Sequence, residues 1–186
     1  MATPPTFTNG TPLYQESLNA IGQWKVTTYS FTNSAAPYID NCFTSDYTNY
    51  KVLINVSAAT GDLLYMRFRN GSGDVTTANY VWAGYYISQF SAPSVAAEGS
   101  SGALGYGRIG YVDASVNNNL TMEVMNPYDT GATAWFCPHQ QGGTSFQYAR
   151  YMQGSFYGTG SMTGFKIYTA SSYNLTGTIT VYGWRE

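Results

Sequence analysis

Tyr50-Lys51-Val52-Leu53-Ile54-Asn55-Val56, then Ala59-Thr60-Gly61-Asp62, then Leu63-Leu64-Tyr65-Met66-Arg67-Phe68-Arg69, is the stretch whose reading decides the fold. Successive side chains of a strand point to opposite faces, so a strand with one wet side alternates apolar and polar residues. In the first run Val52, Ile54 and Val56 share one face, and Lys51, Leu53 and Asn55 share the other. In the second, Leu64, Met66 and Phe68 alternate against Tyr65, Arg67 and Arg69. Each run therefore has a single core face. Residues 59–62, which include Gly61 and Asp62, read as a hairpin loop joining the two strands side by side.

Working outward, the same period of two returns in short runs separated by Gly, Asn, Asp and Ser. Strands are predicted over residues 24–32, 50–57, 63–69, 79–90, 107–113, 120–125, 134–138, 146–152, 164–169 and 176–184. The expected fold class is all-β, a jelly-roll-like antiparallel β-sandwich of about ten short strands with one short N-terminal helix. Residues 92–105 are small and rich in Ser, Gly and Ala, and read as an exposed loop.

The first 22 residues follow another pattern. Thr11 suits a helix N-cap and Pro12 the first helical position, and Gly22 can close the helix. Leu13, Leu18 and Ile21 can share its apolar stripe. The expected organisation is an attachment segment over 1–22, in which Phe7, Leu13, Leu18 and Ile21 make the contacts, and a β-sandwich domain over 23–186. The 186 residues suit one main core rather than two.

Only 10 % of the residues are charged, against about 25 % in an ordinary soluble domain. The polar surface is therefore mostly uncharged. A net charge of −2 offers no cationic stripe for phosphate backbones, so no nucleic-acid partner is expected. The uncharged stretch 75–97 is interrupted by Thr76, Thr77, Asn79, Ser88, Gln89, Ser91, Pro93 and Ser94, too polar for a spanning helix. No basic residue precedes Lys25, so the start does not read as a secretion signal. Synthesis in a cytoplasm, without membrane insertion, is the expectation.

Catalytic constellations are sparse. His139 stands two residues after Cys137, on the same strand face, but no residue in the sequence identifies an orienting acid. Cys42, Cys137 and His139 lack the close spacing of a zinc site, and the thiols read as small buried apolar groups, with one disulfide closing a long loop as the alternative. Gly102-Ala103-Leu104-Gly105-Tyr106-Gly107 lacks the Lys and the following helix of a phosphate loop. No catalytic residue, metal or cofactor is expected. What remains is an excess of tyrosine, 18 residues, each pairing an apolar face with a hydrogen-bonding tip. Tyr85, Tyr86, Tyr106, Tyr111 and Tyr157 are the candidate contacts, toward another subunit or toward a glycan.

Two stretches resemble proteins of tailed bacteriophages. Thr6-Phe7-Thr8-Asn9-Gly10-Thr11-Pro12-Leu13, followed by Ser17-Leu18-Asn19-Ala20-Ile21-Gly22, resembles the N-terminal segment of phage tail-fibre and minor structural proteins. Tyr14-Gln15-Glu16 stands where that family more often has Thr-Ala-Ala. Cys42-Phe43-Thr44-Ser45-Asp46-Tyr47-Thr48-Asn49-Tyr50-Lys51-Val52, Met66-Arg67-Phe68-Arg69 and Gly177-Thr178-Ile179-Thr180-Val181-Tyr182-Gly183-Trp184 are similar to β-sandwich modules of virion proteins. The resemblance implies a non-enzymatic structural protein made in the host bacterial cytoplasm and displayed on the virion surface. Its implied form is an external projection, tail-associated and receptor-binding, that assembles as a homotrimer. It would hold other virion proteins through its N-terminal segment and could meet a host surface glycan. Head decoration is the alternative role, and glycan depolymerisation stands behind both.

Overall fold

The run quoted first forms two strands of the expected alternation, but not a hairpin. In the computed structural model, which describes residues 22–88, 94–114, 116–142 and 147–184, Val52, Ile54 and Val56 are buried, as are Leu64, Met66 and Phe68. The two strands lie in different sheets. The loop between them is an arch across the sandwich, because each strand buries its apolar face against the opposite sheet while its edges pair with other strands. The hairpin expectation is thus corrected.

Thirteen strands are described: β1 (Trp24–Ser34), β2 (Tyr38–Ile39), β3 (Asn49–Ala58), β4 (Asp62–Asn70), β5 (Gly73–Asp74), β6 (Tyr80–Ser88), β7 (Ser94–Gly99), β8 (Gly107–Val112), β9 (Asn118–Met125), β10 (Thr133–Gly142), β11 (Gln147–Phe156), β12 (Gly164–Thr169) and β13 (Leu175–Trp184). All ten expected strands have a counterpart, and β2, β5 and β7 are additional. β7 overturns the reading of 92–105 as loop throughout. Its Ser-Val-Ala-Ala-Glu-Gly sequence has little strand propensity, and pairing along β6 from Ser88↔Ser94 to Ala83↔Gly99 makes it a strand. The N-terminal helix and the residues Phe7, Leu13, Leu18 and Ile21 lie outside the described residues. Among the described residues there is no helix.

The strands form an all-β, antiparallel sandwich. A wide sheet runs β1-β13-β3-β9-β10-β11-β6-β7, and a small sheet runs β2-β12-β4-β5, with β8 also paired to β4. The first strand pairs with the last and the second with the last but one. The core between β3, β9, β13 and the small sheet is aliphatic and aromatic: Val52, Ile54, Leu120, Met122, Ile179 and Val181 face Leu64, Met66, Phe165 and Ile167, all buried. Two tyrosine hydroxyls buried between the sheets, one in each half of the wide sheet, are bonded. Tyr50 Oη donates to the Thr44 carbonyl at 2.9 Å and accepts from the Thr44 amide at 2.7 Å. Tyr80 Oη donates to the Val75 carbonyl and accepts from the Phe68 amide, each at 3.0 Å.

Beyond β9 the wide sheet continues for four strands, β10-β11-β6-β7. The inner face of this extension packs on β8. Glycines make the close approach possible: a Cβ added to Gly107 on β8 or Gly154 on β11 would collide with the indole of Trp135. That indole is buried and its Nε1 donates to the Arg108 carbonyl at 3.4 Å.

Candidate functional site

The extension presents two faces of opposite character. On the inner face, Glu98 of β7, Arg108 of β8, His139 of β10 and Arg150 of β11 converge. The sheet register sets three of them nearby: His139 stands opposite Arg150, Arg150 opposite Tyr86, and Glu98 opposite Gly84 on the strand between. Arg108 arrives from β8, at an irregularity in its pairing with β4. Glu98 bridges both guanidiniums, with Oε2 2.7 Å from Arg108 Nη1 and Oε1 3.1 Å from Arg150 Nη1. Both arginine side chains are under a tenth exposed. Arg150 is also ringed by Tyr86, Tyr148 and Tyr111, at 4.9, 5.3 and 5.4 Å from Cζ to ring centroid, and Arg108 lies 5.5 Å over Trp82. These ring faces replace part of the hydration that burial removes.

Opposite Arg150, His139 is 8 % exposed, and neither ring nitrogen makes a hydrogen bond. A Cβ at Gly110 would fall on its ring, so the imidazole is packed against backbone. Burial first, and then the charge of Arg150, push its pKa down to about 4, with Cys137 backbone pulling weakly the other way. His139 is therefore neutral near pH 7. Cys137 shares its face, is fully buried, and has its thiol pKa raised by desolvation alone. A thiol held protonated is a poor nucleophile. Cys42 is likewise buried with a raised pKa, chiefly from desolvation, and both cysteines are free. Among the described residues no three His, Cys, Asp or Glu side chains gather as a metal site.

The outer face of the extension is uncharged. Alternation turns Val81, Ala83, Tyr85 and Ile87 of β6 outward, with Val95 and Ala97 of β7, Ala134, Phe136 and Pro138 of β10, and Ala149, Tyr151, Gln153 and Ser155 of β11. Tyr85 and Tyr151 face each other across the strand pair and stack at 4.9 Å with 19° between planes. Beside them a cleft of about 450 Å³ opens over β9, β10, β11 and β6, lined by Val81, Ala83, Met125, Phe136, Gln153 and Ser155 among others. Gln153 lies between Phe136 on β10 and Ala83 on β6.

A second charged cluster lies on the outer face of the small sheet. Asp74 is paired with both Arg69 and Lys166, and Arg69 Nε donates to Asp40 at 2.7 Å. Burial alone would raise the Asp74 pKa, but hydrogen bonds and charge from Lys166 and Arg69 outweigh it and lower it. Arg69 lies 4.3 Å over the ring of Tyr38.

The five tyrosines singled out in the sequence are distributed over several surfaces. Tyr85 is exposed on the outer face, in the stack with Tyr151. Tyr86 and Tyr111 are half-buried in the ring around Arg150. Tyr106 packs at 4.4 Å on Tyr65, and Tyr157, 49 % exposed, follows β11. Tyr85 and Tyr86 part because adjacent strand residues point to opposite faces. Sequence reasoning missed Glu98, Arg108 and Arg150, whose shared site depends on pairings among distant segments. Phe136, Tyr151 and Gln153 carried a signal: alternation with Trp135, Cys137 and Met152. No protein-family model and no curated protein matches the chain.

Proposed function

We propose that this chain is a non-enzymatic structural protein of a bacteriophage particle, an external projection of the tail-associated, receptor-binding kind. In this reading it is made in the host cytoplasm and assembles as a homotrimer at the virion surface. One observation carries it: the outer face of β10-β11-β6-β7, a broad sheet surface with aromatic side chains and no outward charge. Such a face suits contact with another surface through apolar burial and neutral hydrogen bonds rather than ion pairs.

The jelly-roll form of the sandwich belongs to the same proposal. Strand pairing supports it: β1-β13-β3-β9 and β2-β12-β4-β8 divide eight strands between two sheets as a jelly roll does, with β5 to β7 and with β10 and β11 as insertions. The non-enzymatic part is supported by the desolvated Cys137 thiol and by a His139 whose nitrogens meet no acid. Attachment through residues 1–22, with Phe7, Leu13, Leu18 and Ile21 as contacts, completes the reading.

Cryo-electron microscopy of particles containing the chain is the test. Density for the sandwich at the tail is expected. Density on the capsid lattice would assign head decoration instead, and absence from purified particles would overturn the proposal.

A further inference from the structure

The cleft over β9, β10, β11 and β6 has features that narrow its occupant by chemistry. None of its lining side chains is charged, so it offers nothing to a phosphate backbone or another polyanion. All four strands are paired along both edges, so an extended peptide finds no free edge to add to. A wholly apolar chain would strip water from Gln153 and Ser155, whose side chains make no hydrogen bond within the described residues, and leave them unpaired.

A polyhydroxylated ring without charge answers each of these features. Its C–H face can lie on the ring of Phe136, and Met125 borders the same side. Its hydroxyls can both accept from and donate to the Gln153 amide, and can meet Ser155 two residues along the same face of β11. Ala83 and Gly99 opposite are small, so a ring can sit low between Phe136 and the low side of the sheet. Tyr151 and Tyr85, one residue pair further along, extend the aromatic floor for a second ring. The volume, about 450 Å³, is that of an ordinary small-molecule site.

We propose that this outer-face cleft binds a neutral saccharide, with Phe136 as the stacking platform and Gln153 and Ser155 as the hydroxyl-reading groups. The inference takes its biological setting from the receptor-binding reading above, but its chemistry stands on the cleft alone.

The test uses the purified full chain and a panel of neutral oligosaccharides built from glucose, galactose, mannose and N-acetylglucosamine. Their uronic-acid and sialylated counterparts serve as the charged arm, and saturation-transfer NMR is the readout. Binding by at least one neutral oligosaccharide is expected, weakened about tenfold by Phe136→Ala and by Gln153→Ala, and unchanged by Tyr173→Ala in the turn between β12 and β13. Both cleft positions are on the solvent side of the sheet, and an unchanged circular-dichroism melt shows that each variant folds. Silence of the whole neutral panel, preference for the acidic arm, or indifference to both cleft variants would overturn the proposal. So would loss of self-association in Phe136→Ala without any saccharide signal in the native chain, which would make a second copy the occupant. None of these results bears on where the chain sits in a particle, so the two readings fail separately.

Discussion

The two halves of the wide sheet solve the same problem with different residues. In β1-β13-β3-β9 the inner face is covered by the small sheet, and it is filled by aliphatic side chains from Val52, Ile54, Leu120 and Ile179. In β10-β11-β6-β7 the cover includes β8, and the inner face carries Trp135 and His139 against glycines, with Arg150 and Tyr80 buried on the same face. The difference teaches that a sheet can outgrow its partner when backbone replaces side chain on the covering strand. Large rings then reach the glycines, and the charges at the margin neutralise one another through Glu98.

The sharpest way to break this contrast is to empty the extension's core. Trp135→Ala removes the largest fully buried side chain and should cost about 3–5 kcal/mol. Urea unfolding followed by circular dichroism measures it. A single transition would mean that the halves unfold together, whereas two would mean that the extension melts first.

Next in size is the bridge. Glu98→Ala leaves Arg108 and Arg150 close together without their shared carboxylate, and breaking a buried pair in this way should cost about 3 kcal/mol. Faster amide exchange confined to β6 and β7 is the expected signature. Uniform exchange across the whole sandwich would show that the bridge does not hold the extension.

His139 sets a pH dependence of somewhat smaller size. The unfolded imidazole takes a proton below its ordinary 6.5, while the folded one, buried and near the charges of Arg150 and Arg108, refuses it until about pH 4. Stability is therefore complete above 6.5 and is lost as pH falls through the window to 4, by up to about 3 kcal/mol. Urea midpoints across that window should slope in the native chain and flatten in His139→Gln. An equal slope in both would assign the acid sensitivity elsewhere.

Replacing both Cys42 and Cys137 by Ala, one thiol in the loop after β2 and one in the extension, should cost about 1–3 kcal/mol in total. Native thiols should stay unreactive toward a disulfide reagent at neutral pH, and rapid labelling of either would contradict their burial. Salt should have the smallest effect. Self-association through an uncharged face should persist in sedimentation up to 1 M NaCl, where screening reaches about 3 Å. Dissociation by salt alone would point to the ionic cluster of Asp40, Arg69, Asp74 and Lys166 as the contact.

Much of the fold was legible before any coordinates. The alternation in β3 and β4 named the buried faces, and all ten expected strands have counterparts, because side-chain direction in a strand is a local property that survives any choice of partner. The scarcity of charge likewise fixed the kind of surface. Which sheet a strand joins was not legible: the arch after β3 has the composition of a hairpin loop, and only burial against the opposite sheet separates the two. β7 has too little strand propensity to be read, and exists through its neighbour β6. The site was least legible of all. Glu98, Arg108, His139 and Arg150 come from four strands, and no local pattern records that β6, β10 and β11 lie side by side. Alternation is written residue by residue, whereas adjacency is decided by which apolar faces can leave water together, and that depends on the whole chain.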